Sequence, residues 1–295
     1  MRLVTRGDLD GLTCAVLISH HEEIDSVLLT HPQELADGHV EISNTDIIAN
    51  LPYQPGCGIW FDHHMHTTAA APRVEFEGAF GQAPSAARLV WEYYGCEQTL
   101  PHYDDLVCET DRLDSADLTL DDILDPQGYI KLGFTLDSRS GLGPLEQYFE
   151  TVLDLLLDNR SSDEILLEPA VDMRCRRLET DDVHLHEALQ SHSRVDGNVV
   201  FTDFRYLDPV PAGNRFLVFA IFPQVNVAVR AQRRLDGPTM LTLGHSIINR
   251  TCNTNVGELA ARYGGGGHPG AGSIPLMEDT DQQIEMILTE LKAGG

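Results

Sequence analysis

The sequence predicts an α/β protein built as two units joined by a helical stretch, and three observations carry that prediction. Over residues 1–137, short apolar runs alternate with segments of helical spacing, the pattern of a parallel sheet with crossover helices. Over residues 142–192 the spacing is almost wholly helical, and from residue 198 strand-like and helix-like segments alternate again. At 295 residues the chain is long enough for two domains of ordinary size. The changes of pattern place boundaries at 1–141, 142–196 and 197–295.

The elements follow in order. Leu3-Val4-Thr5 reads as a strand, and residues 11–20 carry helical apolar spacing. Residues 26–30 and 46–48 read as strands. Gly58-Ile59-Trp60-Phe61 reads as a buried one, being short, apolar and aromatic with glycine at its start. Residues 83–94 read as a helix with Trp91 and Tyr94 on its apolar side. In the helical stretch, acidic residues break the pattern over 158–163 and Pro169 interrupts it again. In the last third, Val199-Val200-Phe201, residues 225–229 and Met240-Leu241-Thr242-Leu243 are strand candidates. Residues 256–263 form a short helix with Asn255 as N-cap and Glu258 three residues on. Residues 281–292 form an amphipathic helix.

Composition excludes several classes of function. The net charge is −26, from 20 basic and 46 acidic residues, and only Lys131 and Lys292 are lysines. A protein that tracks long nucleic acid needs a basic stripe to displace counterions, and none is present. A small anionic substrate held by a few arginines and metal ions fits this balance. The acidity is otherwise that of a solvated surface. The longest apolar runs, such as residues 216–222, are too short to span a bilayer. The N-terminus turns polar at once, so a cytoplasmic protein without a signal peptide is expected. Six cysteines without C-x-x-C spacing point to reduced thiols.

The candidate chemistry gathers where strands end. Asp62-His63-His64 closes the strand over residues 58–61, and in open parallel sheets chemistry collects beyond the carboxyl ends of the strands. Asp8-Leu9-Asp10-Gly11 follows the first strand and opens the first helix. It presents two carboxylates from one turn, with Gly11 permitting a tight bend. The bland alternative, Asp8 as an ordinary N-cap, leaves the second carboxylate unexplained. Asp46 is a third acid at a strand edge, and alone it reads as a turn residue. Residues 109–117 form a charged run that reads mostly as a solvated helix end. Gly264-Gly265-Gly266-Gly267-His268-Pro269-Gly270 follows the short helix; successive glycines allow a backbone concavity whose N–H groups cradle an anion. A flexible linker is the alternative, but the run leads into the apolar Ile274.

Acids converging at such strand ends would repel one another, at several kcal/mol per buried unpaired charge, and divalent cations would remove that penalty. Oxygen ligands with one or two imidazoles favour manganese, with magnesium or cobalt as substitutes.

Taken in order, Asp8-Leu9-Asp10-Gly11, Asp46, Asp62-His63-His64 and Asp111 resemble the motifs of the DHH phosphoesterase superfamily. The glycine run with His268 resembles the signature of its DHH-associated C-terminal domain, so the resemblance covers nearly the whole chain. Thr5-Arg6-Gly7-Asp8, Trp60-Phe61-Asp62 and Gly244-His245-Ser246 are similar to phrases of the nano-RNase and exopolyphosphatase-like branch. The resemblance implies an N-terminal parallel-sheet catalytic domain, a helical connector and a smaller C-terminal α/β substrate domain, with the active site in the cleft between them. It implies two divalent cations, preferably manganese. Asp8 would bind the first, and Asp10, His63 and Asp111 the second, with Asp46 bridging. Asp62 and His64 would be the catalytic pair. Arg139, Arg250, Gly265, Gly266, Gly267 and His268 would bind the substrate's phosphate. Thr5 stands where many relatives carry a histidine ligand of the first metal.

The implied activity is hydrolysis of very short oligonucleotides, linear dinucleotides above all, to mononucleotides by a two-metal-activated water. An exopolyphosphatase or nucleoside-bisphosphate phosphatase is the enzymatic alternative. A non-catalytic metal- or nucleotide-binding regulator, motivated by Thr5, is the alternative of another class. No long nucleic acid or membrane is expected as partner, whereas a homodimer is, by analogy with relatives.

Overall fold

The computed structural model describes residues 1–64, 75–137, 140–233, 237–276 and 280–294. Contacts divide the chain into two units, Met1–Asp117 with Pro126–Arg177, and Leu118–Asp125 with Leu178–Gly295. The helical stretch expected as a connector over 142–196 is divided between these units. Residues up to Arg177 fall in the first unit and those from Leu178 in the second.

The first unit is built on β1 (Arg2–Thr5), β2 (Ser26–Leu29), β3 (Asp46–Ala49), β4 (Ile59–Asp62) and β5 (Glu77–Phe80). All pair in parallel, in the order β2-β1-β3-β4-β5. The central strands β3 and β4 are buried throughout, as parallel strands covered on both faces must be. Successive side chains go to opposite faces. Leu3, Ile47, Ala49, Ile59 and Phe61 pack on one side. Val4, Ile48 and Trp60 pack on the other with Leu35 and Leu51. The Trp60 indole N–H donates to the Leu51 carbonyl at 2.9 Å, which removes the cost of burying it.

Helix α1 (Leu9–Ser19) is buried from Leu9 to Ile18 and so is apolar nearly all round. The short α2 (Pro32–Ala36) follows β2. Then come α3 (Ala86–Tyr93), α4 (Cys96–Thr99) and α5 (Asp104–Asp114). The helix expected over 83–94 begins three residues later, because the Ser85 hydroxyl caps it by accepting from Arg88 N. After α6 (Leu120–Leu124) come α7 (Gly128–Leu136), α8 (Glu146–Leu157) and α9 (Ser162–Leu166), then the 24-residue α10 (Pro169–His192). Pro169 opens α10 rather than breaking it, since proline is tolerated at the first helical position. Among the described residues, no helix is long and apolar enough to cross a membrane, and no disulfide joins the six cysteines.

The second unit carries β6 (Ser193–Asp196), β7 (Val199–Asp203), α11 (Leu217–Ile221), β8 (Val227–Arg233), β9 (Thr239–His245), α12 (Val256–Arg262), β10 (Gly266–His268), β11 (Ala271–Leu276) and α13 (Thr280–Ala293). Its sheet runs β10-β11-β9-β8-β7-β6 and is mixed, with only the β7–β8 pair parallel. Val227, Val229 and Ala231 alternate with less buried residues along β8. They share their face with Leu241, Leu243 and Ile274, against Leu259 of α12 and Ile287 of α13.

Candidate metal centre

The carboxyl ends of β1, β3 and β4 lie on one edge of the first sheet and position the site. Past β1, Asp8 takes extended backbone and caps α1, with one carboxylate oxygen accepting from Gly11 N at 3.0 Å and from Asn50 Nδ2 at 2.9 Å. Its other oxygen pairs with Arg6 Nε at 3.2 Å. Glycine is required at position 11, because a Cβ there would lie 2.0 Å from the Arg6 carbonyl oxygen. Burial pushes the Asp8 carboxyl up, partly offset by Arg6.

Asp10 sits in the first turn of α1, buried. It accepts backbone N–H groups of Ala86 and Ala87 at 3.0 and 2.7 Å, at the positive end of α3. His63 follows β4. Its Nδ1 lies 3.0 Å from the Ala83 carbonyl, which fixes that nitrogen as the donor and turns Nε2 inward as an acceptor. Nε2 lies 3.1 Å from Asp114 Oδ2 and 3.8 Å from Asp10 Oδ2. Among the described residues, ligand atoms of Asp10, His63 and Asp114 converge within 4.8 Å of one another. Burial raises the Asp10 carboxyl, and the Asp114 charge raises it further. Burial works against a charged His63, but the close approach of Asp114 and the charge of Asp10 outweigh that and raise its pKa. Arg6 follows the same logic: burial opposes its charge, while Asp8, Asp114, Asp10 and Asp137 hold it.

His64 Nδ1 lies 2.8 Å from Asp62 Oδ1, and its Nε2 lies 3.4 Å from Arg6 Nη1. Asn50 closes β3 in the left-handed backbone region (φ 58), which asparagine tolerates.

A fit to a cation at Asp10, His63 and Asp114 rests on their converging ligand atoms and on His63 Nε2, which makes no hydrogen bond. Among the described residues five buried side-chain atoms make no hydrogen bond. Four of them, Thr5 Oγ1, Asn50 Oδ1, Asp62 Oδ2 and His63 Nε2, lie at the ends of β1, β3 and β4. Each such atom costs about 1–3 kcal/mol unless something pairs with it. Two carboxylates and an inward imidazole nitrogen are a donor set suited to a divalent ion of the manganese or magnesium kind.

The structure departs from the expected ligand set at two acids. Asp46 opens β3, so it lies at the opposite edge of the sheet, roughly 13 Å of strand from Asn50. There Arg2 grips it through Nε and Nη2 at 2.8 and 2.9 Å, and Ser43 N donates at 2.7 Å. Burial would raise its pKa, but Arg2 and Ser43 hold it below the usual carboxylate value. The second acid is Asp111, which accepts from Ser85 Oγ at 2.6 Å and from Arg88 Nε at 2.8 Å. Asp114, one turn further along α5, reaches His63 instead. Asp114, Asn50 and Arg6 contact His63 or Asp8 and were not singled out from the sequence. The signals were the i, i+3 repeat of acids on one helix and the residue that ends, rather than begins, β3.

In the second unit, part of the glycine run is a strand. Gly266, Gly267 and His268 form β10, paired to Ser273, Gly272 and Ala271. A Cβ at Gly265 would lie 2.0 Å from the Ser273 carbonyl oxygen, and one at Gly267 2.2 Å from that of Ala271, so these two glycines serve close packing. Gly266 has open space where a Cβ would be. Arg250 lies in the turn after β9, with Nε donating to the Ile247 carbonyl at 3.0 Å. Arg139 lies outside the described residues.

No protein-family model and no curated protein matches the chain. Among solved structures, the chain is similar over 100% of its length to 99% of the pGpG-specific phosphodiesterase PggH of Vibrio cholerae, at 35% identity and a TM-score of 0.87. An exopolyphosphatase-related protein from Bacteroides fragilis shares the fold at 16% identity, TM-score 0.59, with 99% of this chain and 92% of that one covered. Exonuclease RecJ bound to manganese shares it at 14% identity, TM-score 0.55, covering 99% and 89%. With motifs, sheet topology and a full-length relative in agreement, the chain belongs to the DHH phosphoesterase superfamily.

Proposed function

We propose that the chain is a divalent-cation-dependent phosphodiesterase that cleaves linear dinucleotides, pGpG among them, to mononucleotides. The observation that carries this reading is the end-to-end identity of 35% with a phosphodiesterase named for its specificity toward pGpG. Asp10, His63 and Asp114 would hold the cation, with manganese preferred and magnesium or cobalt as substitutes. When bound, such an ion sets positive charge against the phosphoryl group as its charge develops and acidifies water for attack.

The remaining work falls to the chain. Asp62 accepts from His64 Nδ1, which orients the ring and leaves Nε2 to carry a proton to the leaving oxygen. Arg6, 3.4 Å from that nitrogen, adds a fixed positive charge for the scissile phosphate. In the second unit Arg250, His268 and the backbone of Gly265, Gly266 and Gly267 would bind a terminal phosphate, with Arg139 as a further candidate. Gly266, whose Cβ position is open, leaves room for close approach. The acidic surface and the absence of a basic stripe suit a substrate of two nucleotides over a long strand.

Purified protein incubated with Mn²⁺ and pGpG is expected to release GMP, with other 5′-phosphorylated dinucleotides and a tetranucleotide run alongside. If no dinucleotide yields mononucleotide with manganese, magnesium or cobalt, the reading is lost.

A further inference from the structure

Asp8 and Asp10 lie two residues apart, yet their surroundings differ in kind. Asp10 faces an imidazole nitrogen and a second carboxylate, neither of which it can satisfy alone. Asp8 and Asp10 both have each oxygen engaged, but the donors to Asp10 are the neutral backbone N–H groups of Ala86 and Ala87, whereas Asp8 is held by Gly11 N and Asn50 Nδ2 on one oxygen and by the Arg6 guanidinium on the other. The groups beside Asp8 at the strand ends are the neutral Thr5 and Asn50, both fully buried, and Asp62, whose Oδ1 is taken by His64; they leave Thr5 Oγ1, Asn50 Oδ1 and Asp62 Oδ2 without a hydrogen bond, one carboxylate oxygen and two neutral ones. None of the three brings an imidazole, and a divalent ion at Asp8 would meet the guanidinium's positive charge at short range. The acid expected to bridge two ions, Asp46, is committed to Arg2 at the other edge of the sheet.

We propose that Arg6 takes the place of a second divalent cation, so that this chain binds one ion, at Asp10, His63 and Asp114, with Asp8 neutralised by the guanidinium. Arg6 is then part of the site's resident positive charge and sits beside His64 whether or not substrate is bound. This inference rests on the cation-dependent reading above but not on the identity of the substrate.

The test counts ions on the full-length, metal-stripped protein without substrate, by calorimetric titration with Mn²⁺ and by metal analysis after dialysis. Electron paramagnetic resonance of the loaded protein serves as the second readout, because an isolated Mn²⁺ and a coupled pair differ in hyperfine pattern. One ion per chain with an isolated-ion spectrum is expected, as is its loss in Asp114→Asn and its retention in Asp8→Asn. Arg6→Gln is expected to admit a second, weaker ion, and Arg6→Lys to restore the count of one. Circular dichroism of each variant separates loss of an ion from loss of fold. Two ions in the unaltered protein, no ion at all, or a single ion in a folded Arg6→Gln variant would overturn the proposal. The substrate reading fails separately: one bound ion with no dinucleotide cleavage refutes the activity alone, and cleavage with two bound ions refutes the single-ion inference alone.

Discussion

The two edges of the first sheet treat buried aspartates in opposite ways. At the amino edge, Asp46 is surrounded by donors, with a guanidinium, a backbone N–H and a hydroxyl each aimed at it. At the carboxyl edge, Asp10 and Asp62 are as deeply buried, yet they face another carboxylate or keep an oxygen without a donor. Burial alone therefore does not mark a ligand. What marks it is the mismatch between charge buried and donors supplied. Asp46 is met by a guanidinium, whereas Asp10, although it accepts two backbone N–H groups, has a second carboxylate beside it, and Asp62 keeps one oxygen without a donor.

The largest effect expected from this contrast is on turnover. Asp114→Asn should lower dinucleotide cleavage on the order of a thousandfold, since a lost ligand forfeits several kcal/mol of transition-state stabilisation. Asp46→Asn should leave cleavage within about threefold; steady-state kinetics on pGpG checks both, and equal losses would erase the distinction between the edges. Asp111→Asn tests the same point within one helix. It removes the Arg88 ion pair and not a ligand, so a loss on the order of tenfold through displaced neighbours is expected.

The next effect is in the pH dependence of stability. In metal-free protein both Asp10 and His63 have folded pKa values above their unfolded ones, so both contribute stability at low pH that is lost as the pH rises. The loss begins above the ordinary carboxylate value of 3.8 and steepens as the pH passes the ordinary imidazole value of 6.5. Added Mn²⁺ binds the deprotonated ligands, so its stabilisation grows over the same range. Melting temperatures with chelator and with Mn²⁺ should diverge from pH 6 to pH 8.5, and parallel curves would contradict the assignment. Asp46 runs the other way: its folded pKa is depressed, so its contribution is present above pH 3.8 and disappears on acidification. The smallest effect is Asp46→Asn on stability at neutral pH, a loss of about 1–2 kcal/mol by denaturant titration. It is limited because the Arg2 side chain is one-third exposed.

Much of this was legible in the chain. The strands ending at Thr5 and Asp62 and the helix opened by Asp8 follow from apolar runs bounded by polar residues, and they locate the site edge. The misplaced residues share a cause, which is direction. Asp46 and Asn50 bracket one short strand, and only the end that points with the sheet's carboxyl edge reaches the site. Asp111 and Asp114 share one helical face, and which turn meets His63 depends on Arg88 of another helix claiming the first. Periodicity reveals a face but not how far along it a neighbour sits. The glycine run was ambiguous for a different reason: the ladder partner that makes β10 a strand lies beyond a turn, and the helix crowding it is a tertiary fact.

The left-handed backbone of Asn50 has a consequence for how this active site can diverge. At φ 58 the position admits glycine, asparagine and aspartate at little cost and penalises most other residues, so the exchange nearest to hand is the one that introduces a carboxylate. On the single-ion proposal, an Asn50→Asp step followed by loss of the Arg6 charge is expected to add a second cation, which the same ion count would check. Under that proposal, relatives with superposable backbones would differ in ion requirement through this one position and its arginine neighbour.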